Sequence, residues 1–319
     1  IGHHAFARTA IESITIPGSV KKFGLSAFGE CRNLKRVTLE EGVEYIGHYA
    51  FTRTAIEAII IPGSMKAIGE YAFMDCQNLK RVMLEEGIEH MSEYAFTRTA
   101  IESITIPGSV KTIGTRAFGD CRKLKRVMLE QGIQSIGNHA FAETAIEAIT
   151  IPGSVKTIGG HAFGECRNLK RVMLEEGIQS IGDYAFTETA IEAITIPVSV
   201  KTIGEYMLQY CLRLEVVILP VAHAKRGSYS EFGVLSRVRF IASDDLKQLA
   251  KETLNTYNNA ITSKEDRLAL QDMSRYSTQQ LHTIWHLLSN EQTITDEQEC
   301  LLVKRVASMS CDDALNIAK

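Results

Sequence analysis

Cysteine and histidine are the residues of this sequence whose types and spacing are most suited to chemistry. Five of the seven cysteines recur 45 residues apart, at Cys31, Cys76, Cys121, Cys166 and Cys211. None of them has a second cysteine or a histidine at the short spacing of a zinc site. The regular interval indicates equivalent places in a repeated structure rather than a metal centre.

The C-terminal part holds the other candidates. His282 and His286 lie four residues apart, on one face of a predicted helix, but the motif His-Thr-Ile-Trp-His lacks the glutamate of a zinc protease. Cys300 and Cys311 either join them at a metal or are core residues, and we predict no metal and no cofactor. No phosphate-binding glycine loop, Ser-His-Asp order or catalytic carboxylate pair occurs. The sequence therefore predicts a protein without enzymatic activity.

A repeat of 45 residues organises the chain to about residue 220, as Phe6, Phe51 and Phe96 show. A second Ala-Phe pair, such as Ala27-Phe28, divides each repeat into halves of 22 and 23 residues. Such a period indicates a solenoid of stacked coils. Strands in adjacent coils lie about 4.8 Å apart, so cysteines two coils apart are about 10 Å apart, too far for a disulfide. We expect them to be free and buried.

Each half-repeat contains one segment with the alternation of a strand. In the longer half, Leu34, Val37 and Leu39 are expected inside, while Arg36 and Thr38 face outward. Pro-Gly-Ser or Glu-Gly follows the strand and predicts a turn. We expect one strand per coil and a single parallel sheet.

Outward residues of the strands form columns of arginine, methionine and glutamate. Methionine is adaptable, and arginine is enriched at interfaces, so we predict that this strand face binds a protein or an extended peptide. Alternatively, nearly identical repeats simply retain the residues of an ancestral unit. The candidate residues are Arg36, Arg81, Met83, Glu85, Arg126, Met128, Glu130, Arg171, Met173 and Glu175.

Two further columns are candidates for contact with a partner. Rings precede most Ala-Phe pairs, as at Tyr49, Tyr71 and His139, and they either bind a partner or cover the core. The third residue of the shorter half changes sign, from arginine at Arg8 to glutamate at Glu188, and either orients a charged partner or is a solvated edge.

The pattern L-x-x-V-x-L-x-x-G-V-x-x-I-G-x-x-A-F-x-x-C-x-x-L resembles the BspA-type leucine-rich repeat. It is present from Leu34 to Phe51 and again from Phe73 to Leu79, and the resemblance covers residues 1 to about 240. It implies a right-handed horseshoe or gently curved solenoid in a cell-surface or secreted protein of a microbe. Members act in adhesion and host-protein binding, and the resemblance implies no enzyme.

The repeat pattern ends near residue 220, and helical patterning begins at Ser243. Leu235, Val238 and Phe240 are expected to form a last strand, and Ser243-Asp244-Asp245 to cap a helix. The predicted fold class is an α+β solenoid: a right-handed leucine-rich repeat coil over 1–241 and a small helical bundle or cap over 242–319.

Composition and charge exclude several classes of partner. The formal net charge is −3 with both signs mixed throughout, which argues against nucleic acid. No apolar run is long enough for a membrane span. The sequence begins within a repeat, so we treat it as trimmed and draw nothing from the absence of a signal peptide. We expect a monomer, and the resemblance implies a secreted or cell-surface protein. The alternatives are an effector delivered into a host cell, whose helical region carries the activity, and a structural spacer.

Overall fold

The computed structural model describes residues 1–220, 232–234 and 238–242. These residues fall into two units, the larger made of Ile1–Glu192 with Pro197–Leu214 and the smaller containing a separate three-stranded sheet. The larger unit is a β-solenoid of stacked parallel coils, which confirms the predicted repeat architecture. No α-helix occurs in the described residues, and the predicted helical region lies outside them.

The first sheet has eight parallel strands, one from each successive half-repeat. Its strands pair in register, with Val37 beside Ile14, and inward Val or Ile residues alternate with outward polar ones as predicted. The strands are β1 Ser13–Ile16, β2 Arg36–Leu39, β4 Ala58–Ile61, β6 Arg81–Leu84, β8 Ser103–Ile106, β10 Arg126–Leu129, β12 Ala148–Ile151 and β14 Arg171–Leu174.

A second eight-stranded parallel sheet corrects the expectation of a single sheet. The segment that re-enters the core after each turn is also extended for two residues, with Ile46 buried and Tyr45 exposed. Stacking brings these segments side by side, so their backbone groups pair. The strands are β3 Tyr45–Ile46, β5 Ala67–Ile68, β7 His90–Met91, β9 Thr112–Ile113, β11 Ser135–Ile136, β13 Thr157–Ile158, β15 Ser180–Ile181 and β17 Thr202–Ile203.

The smaller unit contains a three-stranded parallel sheet of β16 Ala193–Thr195, β18 Val216–Leu219 and β19 Arg239–Ala242. β18 and β19 pair at four register positions, and Val217 is the partner of Phe240 at one of them. The predicted last strand is therefore present, and it begins just after Val238.

The phenylalanines of the Ala-Phe pairs stack on one another inside the core, one from each coil. Phe96, Phe118 and Phe141 are fully buried, with ring centroids 5.4 and 5.3 Å apart. The Phe118 amide also donates to the Ala140 carbonyl of the next coil, at 2.8 Å. Rings and backbone together set the pitch of the stack.

Each Ala-Phe turn forces non-glycine residues into the left-handed region. Tyr71 has φ 58° and Asp75 has φ 59°, and the same two places are left-handed in every coil of the larger unit. This conformation costs an ordinary residue about 1 kcal/mol. The Tyr71 and Asp75 amides donate to carbonyls of the next coil at 3.1 and 3.0 Å, so stacking stabilises the turn.

Candidate protein-binding face

The methionine column comprises Ile60, Met83, Thr105, Met128, Thr150 and Met173, which lie side by side on the first sheet. Met83 is the register partner of Ile60, and Met128 is that of Thr105. Each methionine lies between inward residues of its strand, so its side chain projects from the sheet. The structure thus assembles the column that the sequence predicted, with a smaller or β-branched residue between successive methionines.

Exposure within the methionine column is uneven. Met83 and Met128 are 58% and 62% exposed, and Ile60 is 54% exposed, whereas Met173 is half-buried. A groove of about 550 Å³ lies over β6, β8 and β10, with the two exposed methionines at its sides and Thr105 between them. The most accessible apolar surface of this face is therefore the stretch from Ile60 to Met128.

The arginine column comprises Arg36, Arg81, Arg126 and Arg171, each the first residue of its strand. All four side chains are exposed. Within residues 1–220, no carboxylate lies at ion-pair distance from any of these guanidinium groups. Their register neighbours are small, as with Ala58 beside Arg81, so both the charge and the space beside it are open to a partner.

The glutamates of the predicted site already have partners in the chain. Glu85 lies just past the end of β6, and its Oε2 accepts the Gly63 amide at 3.0 Å; Glu175 accepts the Gly153 amide at 3.0 Å. Glu130 accepts the Gly108 amide at 3.3 Å. These carboxylates cap the Pro-Gly turns of the preceding coil. This role follows from the turn glycine of the preceding coil, whose amide has no partner in the strand pairing and therefore donates to the glutamate.

A column of alternating charge borders the arginine column on its other side. The Lys80 amide donates to the Glu57 carbonyl at 3.0 Å, and the Glu102 amide donates to the Lys80 carbonyl at 3.4 Å, so opposite charges occupy successive coils. None of its residues is among the candidate contact residues predicted from sequence. Its members are Glu12, Lys35, Glu57, Lys80, Glu102, Lys125, Glu147 and Lys170.

The rings before the Ala-Phe pairs stack on one another. Tyr49 and Tyr71 have centroids 4.6 Å apart, and His139 and His161 are 4.7 Å apart. Burial, followed by the charge of Arg116, lowers the pKa of His139. Because the ring faces contact each other, this geometry favours the interpretation of the rings as cover over the core.

The edge whose residues change sign is neutralised by neighbouring coils. Asp75 lies 3.5 Å from Arg53 and 3.8 Å from Arg98, while Arg122 lies 2.9 Å from Glu143. Burial, followed by hydrogen bonding of the protonated Glu143 carboxyl to Asp120, raises the pKa of Glu143. Because these charges already have partners of opposite sign, this edge offers a binding partner little unpaired charge. Surface ion pairs of this kind contribute only about 0–1 kcal/mol each to stability.

The five repeated cysteines are free and buried, as predicted. Each also has a polar contact that the sequence did not reveal: the Cys121 thiol donates to the Phe96 carbonyl at 3.1 Å and lies 3.2 Å from Thr99 Oγ1. Burial raises the pKa of Cys121 to about 11. A thiol so held stays protonated at neutral pH and has a structural role.

The described residues contain no group of three or more potential ligands that could hold a metal ion. They also contain no helix long and apolar enough to cross a membrane. His282, His286, Cys300 and Cys311 lie outside the residues that the structure describes.

Parallel coils with inward Leu, Ile and Val columns, an outward strand face and a phenylalanine stack define a leucine-rich repeat solenoid. The family model of the BspA type leucine rich repeat region, in six copies, matches residues 1–125, 90–215 and 134–257. The chain belongs to this family, whose solenoids are typically non-catalytic and fit a protein-binding role.

The chain is similar to several solved structures. A leucine-rich repeat protein from Bacteroides ovatus is 26% identical, with a TM-score of 0.58, over 72% of this chain and 70% of that one. The pneumococcal vaccine antigen PcpA is 24% identical, with a TM-score of 0.43, over 65% and 62%. A leucine rich cell surface protein from Faecalibacterium prausnitzii is 23% identical, with a TM-score of 0.41, over 76% and 82%. No curated protein sequence matches.

Proposed function

We propose that this chain is a non-enzymatic interaction protein that binds a protein or an extended peptide through its strand face. The observation that carries the proposal is the groove between Met83 and Met128, the two most exposed methionines of the methionine column. The arginine column borders this groove, two residues before the methionines along each strand, and Arg126 is one of the residues that line it.

The physical basis is the combination of exposed apolar area with unpaired charge. Two methionines about 60% exposed leave apolar surface in water that a partner can bury, at roughly 25 cal/mol for each Å². Methionine adapts to the surface that it meets, and arginine is among the residues that most often dominate binding energy. The groove supplies the adaptable apolar surface, and the arginine column supplies the arginines.

The setting that we propose is the cell surface or the medium around a microbial cell, because the family resemblance points to such proteins. There the strand face serves adhesion or the binding of host proteins, with the chain acting as a monomer. Its candidate contact residues are those of the arginine and methionine columns, while the glutamates at the turns act mainly by holding the groove's border in place.

The test compares capture of partners by the parent chain and by the variant Met83→Ser, Met128→Ser, Met173→Ser. Both are used to capture proteins from host-cell extract and from a panel of extracellular-matrix proteins. Truncating central interface residues costs about 1–2 kcal/mol each, so we expect at least a tenfold loss of affinity for the captured protein.

The matched control is Leu25→Ser with Tyr45→Ser, which removes exposed apolar side chains that lie off the first sheet. The control should bind like the parent. Equal capture by the methionine variant and the parent would place binding elsewhere, and capture by neither would favour a structural spacer. Circular dichroism of each variant verifies that the fold is intact.

A further inference from the structure

The arginine column repeats at every second coil. Arg81 begins β6 and Arg126 begins β10, and β8 lies between them. Parallel strands are about 4.8 Å apart, so successive guanidinium groups recur about 9.6 Å apart along the stack. The buried rings are spaced slightly more widely, with Phe73 and Phe96 at 5.1 Å and Phe96 and Phe118 at 5.4 Å, so two coils of the phenylalanine stack span 10.5 Å.

A polyproline II helix has the matching period. It has three residues per turn and rises about 3.1 Å per residue, so every third side chain lies on the same edge at intervals of about 9.3 Å. Over four arginines the mismatch accumulates to about 1 Å at the general strand spacing and to about 4 Å at the spacing of the buried rings, and long, flexible arginine side chains absorb a displacement of this size. A β-strand places same-side residues about 6.7 Å apart, which does not match the interval between successive arginines of the column.

We propose that the occupant of the strand face is an extended segment in the polyproline II conformation, laid across the strands with a carboxylate at every third residue. This inference rests on the proposed function and specifies the chemistry of its partner. Each carboxylate meets one member of the arginine column. The small residues between the arginines, such as Ser103 and Ala148, leave room for the residues between the carboxylates.

The methionine column suits the second edge of such a helix. It lies two residues from the arginine column along each strand, or about 6.7 Å, which is within the width of a polyproline II helix with its side chains. Met83 and Met128 offer apolar contact to proline or aliphatic side chains. Thr105 lies exposed between them, and its hydroxyl can donate to the unpaired carbonyls of the helix.

The charges around the face disfavour a polymer that is uniformly anionic. On one side of the arginine column, each lysine is flanked by glutamates of the adjacent coils, as Lys80 is by Glu57 and Glu102. On the far side of the methionine column lie Glu85 and Glu130, whose side-chain oxygens accept the amides of the turns. A dense polyanion would meet these acids, whereas a single row of spaced carboxylates meets only the arginines.

The test uses a fluorescein-labelled peptide of four Asp-Pro-Pro triplets, one triplet for each arginine. An isomer of identical composition carries its aspartates at alternate positions, and a third peptide replaces aspartate by lysine. Anisotropy titrations with the full chain measure the affinity for each peptide. The chain variants are Arg81→Gln with Arg126→Gln and, as a matched control of equal charge change, Lys80→Gln with Lys125→Gln.

The triplet peptide should bind about fivefold more tightly than its isomer, and the lysine peptide should not bind. An exposed arginine–carboxylate pair changes affinity about 1.4- to 5-fold, so the double arginine variant should bind the triplet peptide about fivefold more weakly. The lysine control should change the affinity less than twofold. These side chains are exposed, so the variants should fold like the parent.

Equal affinity for the two aspartate isomers, an equal effect of the lysine and arginine pairs, or no binding of the triplet peptide would overturn the inference. If the methionine variant still loses captured proteins while the isomers bind equally, only the inference about spacing falls. If the methionine variant captures proteins as well as the parent does, the proposed function is contradicted, and the inference that rests on it is contradicted too.

Discussion

The phenylalanine stack sets the pitch of the coils, and its energy can be tested by comparing a central ring with a terminal one. Phe118 is fully buried and stacks on Phe96 at 5.4 Å and on Phe141 at 5.3 Å. Phe6 is 36% exposed, and among the residues that the structure describes it stacks on Phe28 alone, at 5.1 Å. Leucine is the natural choice of substitution, because Leu208 occupies this position in the last coil, where it is also fully buried.

The magnitudes follow from the number of stacked neighbours. An aromatic pair contributes about 0.5–1.5 kcal/mol beyond its buried area, so Phe118→Leu should reduce the free energy of unfolding by about 1–3 kcal/mol. Phe6→Leu breaks one pair and should cost about 0.5–1.5 kcal/mol. Phe118→Ala adds a cavity and should cost about 3–5 kcal/mol.

Urea unfolding followed by far-ultraviolet circular dichroism measures these differences. Coils that contact only their neighbours need not unfold in one step, so the shape of the transition is informative as well as its midpoint. Equal losses for Phe118→Leu and Phe6→Leu would refute the idea that stacking, rather than burial of any large apolar side chain, stabilises the pitch. A gain in stability for Phe118→Leu would refute it more strongly.

Three further predictions concern the turn, the thiols and the stacked rings. Glu130→Ala leaves the Gly108 amide without its carboxylate and should destabilise the chain by about 0.5–1.5 kcal/mol in urea unfolding, with Glu130→Gln nearer to the parent. Cys121 should not react with a thiol reagent at neutral pH until the chain is unfolded, because it is fully buried and its pKa is about 11; prompt reaction in the folded chain would contradict this. The pKa of His139 is lower in the folded chain than its unfolded value of about 6.5, so the fold favours the neutral imidazole. The stability that this preference contributes is complete above about pH 6.5 and is lost as the pH falls through the folded pKa. His139→Tyr should therefore show a smaller loss of stability between about pH 7.5 and 5.5 than the parent, and an equal loss would place the pH dependence elsewhere.

The strand face could be predicted from sequence because it depends on two simple periods. Alternation of apolar and polar residues assigns Val37 to the core and Arg36 to the outside, and the 45-residue repeat aligns equivalent residues in space. Both the alternation and the repeat can be detected without knowing the backbone conformation of the turns. The free cysteines followed from the same spacing argument.

The second sheet could not be predicted, because a strand of two residues such as Tyr45–Ile46 has no period to detect. The left-handed turns were hidden for a related reason: Tyr71 has no intrinsic preference for positive φ, and only pairing with the next coil stabilises it. The role of Glu85 depended on which amide remained unpaired one coil away, and that is known only once the register is fixed.

The measurement that most directly tests the strand-face proposal is site-specific photo-crosslinking. A photoreactive amino acid replaces Thr105, between the two exposed methionines, or Tyr45, on the second sheet. Each chain is irradiated with the partner captured by the parent. Crosslinks from position 105 and none from position 45 are the predicted result. Crosslinks from position 45 alone would contradict the proposal that the protein binds its partners through the strand face.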